Sequence, residues 1–162
     1  MRVNDEARTE LLEVVARLSD EDLNRKPSNG GWSIKQIMEH LYLMEGAVAK
    51  TIADQAVNGE ETAAEMRPIE ATVNRSVKVE APAFTMPSDQ FSSKEELKQK
   101  LSSTRSMLSK AEQTSDPQAL EDKSYPHPVF GMMKLKQWIP FVGYHEKRHI
   151  DQIREVKEDL GF

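Results

Sequence analysis

The chain has 162 residues, 38% hydrophobic and 30% charged, a balance that supports one folded domain over residues 1–162 and excludes a disordered chain. Acidic and basic residues are interspersed at a net charge of −5, which excludes the basic stripe of a nucleic-acid binder, and the absence of cysteine excludes disulfides, zinc–thiolate sites and cysteine nucleophiles. No apolar run approaches the roughly 20 residues that span a bilayer, and the opening MRVNDEARTE lacks a signal-like apolar segment, so the expected location is the cytoplasm, away from membranes.

The first periodic segment covers residues 4–18, where Ala7, Leu11, Val14, Val15 and Leu18 share one side of a helix. A polar stretch with Pro27, Asn29, Gly30 and Gly31 ends it. The second helix has a defined start: Ser33 is an N-cap and Gln36 completes a capping box. Ile34, Ile37, Leu41, Met44, Val48 and Ile52 then recur at helical intervals to about Val57, before Asn58-Gly59.

Residues 58–92 carry Pro68, Pro82 and Pro87, which break any long helix. We expect irregular structure there, with a helical extension around residues 60–66 and an extended stretch at 75–84. So long a connection points to a crossover or a functional loop. A third helix opens at Ser93, again with a capping-box partner, Glu96; Leu97, Leu101, Thr104, Leu108 and Ala111 form its inner stripe. Residues 115–133, including Tyr125-Pro126-His127-Pro128, read as irregular.

The last helix begins between Leu135 and Ile139, because Pro140 is tolerated only near a first turn. Trp138, Val142, His145, His149, Ile153, Val156 and Leu160 trace its inner face, and Gly161 closes it. The basic pair Lys147-Arg148 reads as a solvated face. Four amphipathic helices without a convincing strand pair make the expected fold class all-α: a four-helix bundle with long crossover connections. The short first connection makes helices one and two antiparallel neighbours.

Four histidines occur, and three of them sit on apolar stripes. His145 and His149 lie one turn apart on one face of the last helix, and His40 takes an inward position on the second. Burying three imidazoles without partners costs about 1–3 kcal/mol each, and one shared divalent cation removes that cost. Three nitrogen ligands leave a coordination position open, the arrangement of a catalytic site rather than a closed structural one. Gln36 and Gln152 are candidate acceptors for the outer N–H groups of the ligating rings. Glu45 and Glu146 flank the stripes and serve as a general base only if they turn inward; no catalytic residue is assigned. His127, between two prolines, reads as a solvent-exposed loop residue or as a residue at the mouth of the site.

The segments GGWSIKQIMEHLYLME (30–45) and HPVFGMMKLKQWIPFVGYHEKRHIDQI (127–153) resemble the second and last helices of the DinB-like superfamily, close to its YfiT-type branch of metal-dependent enzymes. The resemblance implies a metal triad at His40, His145 and His149, zinc or nickel as the ion, and in some members a homodimer. It also implies a small-molecule substrate and, as in relatives that use bacillithiol, mycothiol or glutathione, a low-molecular-weight thiol co-substrate. The leading expectation is a thiol-dependent S-transferase acting on small electrophiles. A metal-dependent hydrolase and a non-catalytic, metal-stabilised stress or interaction module are the alternatives.

Overall fold

The computed structural model describes residues 2–162. In chain order these form α1 (Arg2–Val15), α2 (Asp20–Asn24), α3 (Ile34–Asn58), α4 (Lys94–Thr114) and α5 (Pro117–Asp122), then β1 (Ser124–His127), β2 (Gly131–Lys134) and α6 (Leu135–Leu160). The helices α1, α3, α4 and α6 make the bundle. Ser33 and Ser93 accept from the backbone N–H groups of Gln36 and Glu96, whose side chains reach back to the cap residues, so both expected capping boxes form. Gly161 takes the left-handed conformation (φ 77°) that ends α6.

Directions follow from side-chain ties between helices. Asn4 donates to the Ile139 carbonyl and Lys157 to that of Val14, so α1 and α6 run parallel. Arg105 donates to the Asn4 carbonyl and Lys94 to that of Ala16, so α4 runs against α1. The close approach of Gly46 to Thr104, with Leu97 and Leu101 beside Ile37 and Leu41, makes α3 and α4 parallel. The order is down-up-up-down. α1 packs on α6, and α3 packs between α4 and α6, so α1 and α3 are antiparallel but diagonal. That corrects their expected side-by-side packing: an apolar stripe dictates that a helix face is buried, not against which partner.

Parallel α3 and α4 require a connection that returns the length of the bundle, and residues 59–93 are that crossover. The expected helix at 60–66 does not form; instead Glu61 bridges Lys123 and the Thr62 N–H donates to the Asp122 carbonyl, so this backbone pairs with another segment. Two 3-10 turns follow, at Ile69–Val73 and Ala83–Thr85. The third connection stays at one end of the bundle. It contains α5, capped by Asp116 with Pro117 at its start, and an antiparallel hairpin pairing Ser124 with Lys134 through His127 with Gly131. α6 begins at Leu135, which places Pro140 inside its second turn rather than its first.

The buried side chains form two clusters. One joins Leu11, Val15, Ile37, Leu41, Leu97, Leu101, Ile150 and Ile153. The other joins Val48, Ile52, Leu108, Leu135, Trp138, Phe141 and Val142 toward the opposite end. Each fully buried aliphatic contributes about 1.5–3 kcal/mol, so these stripes rather than intrinsic propensity set where the helices dock. Between the clusters lies a polar layer, and that layer holds the chemistry.

Candidate metal centre

Two groups share the polar layer. On one side of the α3–α6 contact are His40, His145 and His149, with only 2%, 8% and 8% of their surfaces exposed. On the other are Glu45 and Glu146, equally buried, bound to Arg8 from α1 and Arg105 from α4. The separation follows from helix geometry. At about 100° per residue, Glu146 is turned roughly 100° from His145 and Glu45 roughly 140° from His40. The carboxylates do turn inward, but toward the arginines, not toward the histidines. Arg8 donates to Glu45 (2.7 Å) and Glu146 (2.7 Å), and Arg105 to Glu45 (2.5 Å) and Glu146 (2.9 Å). Each main helix supplies one member of this ring. Burial pushes the Glu146 carboxyl up from its ordinary value, against the pull of Arg8 and Arg105. Every oxygen of both carboxylates accepts at least one hydrogen bond, from the two arginines and, at Glu45, also from Thr104, so both groups are engaged away from the histidine site.

The three imidazoles converge. His40 Nε2 and His149 Nε2 each lie 3.2 Å from His145 Nε2, and one nitrogen from each ring falls within 4.8 Å of the other two. The outer nitrogens decide the tautomers. His40 Nδ1 donates to the Thr85 carbonyl at 2.9 Å, and His149 Nδ1 to Gln152 Oε1 at 2.7 Å. Gln152 thus takes the expected outer role. Gln36 does not: it receives Lys26 and donates to Ser88 and Asp89, tying the crossover to α3. The partner of His40 is instead a backbone carbonyl of the fully buried Thr85.

With both Nδ1 atoms protonated, the Nε2 atoms of His40 and His149 present lone pairs toward His145. The latter's Nε2 carries at most one hydrogen and serves only one of them. Further protonation is opposed, because burial first, and the neighbouring rings next, hold His145 well below its ordinary value and His149 down at about 3. His40 is lowered by burial, partly offset by its bond to Thr85. The donor set fits one cation: three neutral imidazoles, two of them, His40 and His149, with the outer N–H held by a neutral oxygen acceptor.

The crossover covers this group. Arg148 donates to the Thr72, Asn74 and Val77 carbonyls, so it is a clamp on the crossover rather than the solvated residue its charge suggested. Arg75 pairs with Glu155, and the buried Lys35 pairs with Glu39 and donates to Ser88. A cleft of about 120 Å³ lined by Trp32, Arg75, Gln152 and Glu155 opens behind His40 and His149, with the Trp32 ring 5.1 Å from that of His40. A larger concavity of about 300 Å³ lies between Glu61–Ala64 and Glu121–Asp122, and neither space has a histidine on its walls.

His127 lies in β1 rather than in a free loop, packed on Phe130, Trp138 and Phe141 at ring distances of 4.9, 5.2 and 4.8 Å. Phe141 in turn lies 5.7 Å from His145. The His127 ring is half-buried against these aromatics rather than free in a loop, and Phe141 stands between it and His145. Burial lowers its pKa to about 4.

A four-helix bundle with a buried, convergent three-histidine group that could hold a metal ion is the class that fold and site define. The chain belongs to the DinB superfamily, whose family model matches residues 4–153. It is 34% identical to the uncharacterized protein YuaE of Bacillus subtilis (strain 168) over 160 residues, 99% of this chain and 98% of that one. Among solved structures it resembles YfiT from Bacillus subtilis, described as "a probable metal-dependent hydrolase with an unusual four-helix bundle topology" (TM-score 0.67, 18% identity, 99% of this chain and 85% of that chain). It also resembles TT2238, a four-helix bundle protein (TM-score 0.64, 19% identity, 95% and 94% covered). At these identities the structural matches establish the fold. Among the described residues no helix is long and apolar enough to cross a membrane.

Proposed function

We propose that the chain is a metal-dependent enzyme that holds one divalent ion, zinc or nickel, through Nε2 of His40, His145 and His149, and transfers an external thiol to a small electrophile. The observation that carries this reading is that the Nε2 atoms of His40 and His149 each lie 3.2 Å from His145 Nε2, which has at most one hydrogen for their two lone pairs. When bound, such an ion supplies Lewis acidity that lowers the pKa of a thiol or water reaching its open position. The chain's own part is orientation: the Thr85 carbonyl and Gln152 Oε1 fix two rings with their lone pairs inward. The crossover limits water, and no thiol of the protein competes, since it has no cysteine. In the transfer, a sulfur–carbon bond forms, the electrophile's leaving group departs with the bonding pair, and the thiol proton passes to solvent.

Transfer is favoured over hydrolysis by the fate of the carboxylates. A hydrolase of this design needs a base near the ion for its water, and Glu45 and Glu146 are occupied by Arg8 and Arg105. The description of YfiT supports the hydrolytic reading as the second one. Protein purified without a histidine tag is assayed for metal content, then for conjugation of a model electrophile with bacillithiol or glutathione. Metal-dependent conjugation lost in His149→Ala supports transfer. Ester or amide hydrolysis without thiol, lost in the same variant, replaces it with the second reading. A chelation-sensitive melting temperature with neither turnover assigns the ion a purely structural role.

A further inference from the structure

The three imidazoles are buried with their Nε2 atoms turned toward one another, so an ion or a substrate reaches them only if part of their cover moves. The boundaries of the centre are not equally fixed. α3 and α6 supply both core clusters, Phe141 belongs to one of them, and Trp32 packs against the other. Moving any of these dismantles the core. The crossover from Asn74 to Ser88 is built differently. Thr85 is its one buried residue, and no side chain of this stretch joins or packs on either cluster. Val77, Val79, Phe84 and Met86 face water instead, 48–65% exposed.

The ties that hold this stretch are polar. Arg148 donates to the Asn74 and Val77 carbonyls, Arg75 pairs with the exposed Glu155, and Lys35 and Gln36 donate to the Ser88 carbonyl. Among the described residues, the backbone of residues 78–82 makes no hydrogen bond to a helix of the bundle. The inward contact is made by Thr85, whose carbonyl accepts from His40 Nδ1 at 2.9 Å while its hydroxyl turns back to the Pro82 carbonyl. A segment with so little buried apolar surface, held by solvent-exposed polar contacts, opens locally far more often than the whole chain unfolds. The stretch before it is anchored by the buried Ile69 of the first 3-10 turn.

From this construction we infer that residues 74–87 form a flap over the three-histidine centre, fixed at one end by the Ile69 turn and at the other by Ser88, whose opening admits the ion and the substrate. Arg148 and the Arg75–Glu155 pair are its latches. Thr85 couples the flap to the site: when it lifts, the outer N–H of His40 loses its carbonyl, and the ring held in place in the closed state is released in the open one. Closure over a bound small molecule restores that hydrogen bond and shuts out water. The gating role rests on the metal reading, whereas the opening itself does not.

The test reads the opening on chelated protein, so it needs no ion. Because the chain has no cysteine, a single introduced thiol reports its own position. Thr85→Cys places one beneath the flap, and Val48→Cys places one in the core as a measure of global unfolding. An aromatic disulfide reagent is expected to label the first about 100-fold or more faster than the second, with little dependence on low urea. Arg148→Met, which removes the main latch, is expected to speed labelling in the Thr85→Cys background about tenfold or more, the size of one hydrogen bond to a charged group. The same latch variant in the otherwise native chain is treated with diethyl pyrocarbonate, and modified histidines are located by mass spectrometry. His40, His145 and His149 are expected to react faster than in wild type by a similar factor, while His127, outside the flap, does not change. This second measurement decides alone if Thr85→Cys does not fold. Equal labelling in Thr85→Cys and Val48→Cys, histidine reactivity indifferent to Arg148→Met, or a parallel rise at His127 each overturns the flap. A chain that opens in this way yet takes up no zinc or nickel overturns the metal reading and leaves the flap standing.

Discussion

Replacing Arg105 by methionine tests the polar layer most directly. The guanidinium donates to Glu45, Glu146 and the Asn4 carbonyl and is 13% exposed in its side chain, while both carboxylates are 2% exposed. Arg105→Met leaves two buried carboxylates to share Arg8 alone. Removing one partner of a buried pair costs about 3–5 kcal/mol, because the remaining charge stays desolvated. Against a total stability of about 5–15 kcal/mol this is a large fraction. For a chain of this size, at about 2–4 °C per kcal/mol, the melting temperature should fall by about 6–20 °C. Urea denaturation and calorimetry of the chelated protein measure it. The fourfold replacement Arg8→Met, Glu45→Leu, Arg105→Met, Glu146→Leu should be more stable than the single variant, since it removes the stranded charges together. A loss below about 1 kcal/mol in Arg105→Met, the range of an exposed pair, would refute the reasoning. Metal content should not change in that variant, because the ring faces away from the histidines.

Three further outcomes follow from the centre and its frame. Gln152→Ala frees the outer N–H of His149 and should weaken metal affinity about 10–100-fold, read by competition with a chromophoric chelator; unchanged affinity would remove Gln152 from the centre. Without metal, stability should be flat above the ordinary histidine pKa and fall as pH drops from about 6.5 toward 3. The unfolded chain binds protons there that the folded His149 (about 3) and His127 (about 4) refuse. Denaturant midpoints of chelated protein at several pH values check this, and a midpoint constant across that window would contradict it. Gly143→Ala should destabilise by about 1–3 kcal/mol even though alanine favours helices. An added Cβ would stand 2.9 Å from the Asn4 backbone nitrogen and from the Val3 carbonyl carbon. A thermal melt at or above wild type would show that α1 is not held so close.

The helix starts at Ser33 and Ser93 were legible because the capping box is local, and so was the triad, because histidines occupied positions whose neighbours on the helix were apolar. The same local signals at Ser19 with Asp22, and at Asp116-Pro117, mark α2 and α5, yet helices this short leave no periodic stripe to confirm them. The hairpin was hidden by Pro126 and Pro128, which speak against a strand; a two-stranded ribbon has an unpaired edge on each strand and accepts Pro126, while Pro128 lies past β1 in the turn. The inward turn of Glu45 and Glu146 could not be read, because it depends on arginines from α1 and α4 whose charge reads as surface. For the same reason Thr85 was invisible as the partner of His40: its place depends on the path of the crossover, not on any motif.

That path has a geometric cause. α3 has 25 residues and at about 1.5 Å per residue is about 37 Å long, and a parallel α4 obliges the chain to return over that length. Fully extended, about 11 residues would suffice at about 3.4 Å each, whereas residues 59–93 provide some three times as many. The surplus is folded into the two 3-10 turns and laid along α6, where Arg148 grips three carbonyls of the first turn and its exit. The second turn then delivers Thr85 to His40 before Ser88 reaches Lys35. An up-down-up-down bundle with short loops would leave the same three histidines on an uncovered groove, with the outer nitrogen of His40 facing water. The parallel pairing of α3 and α4 thus sets both the cover over the centre and the tautomer of one of its rings.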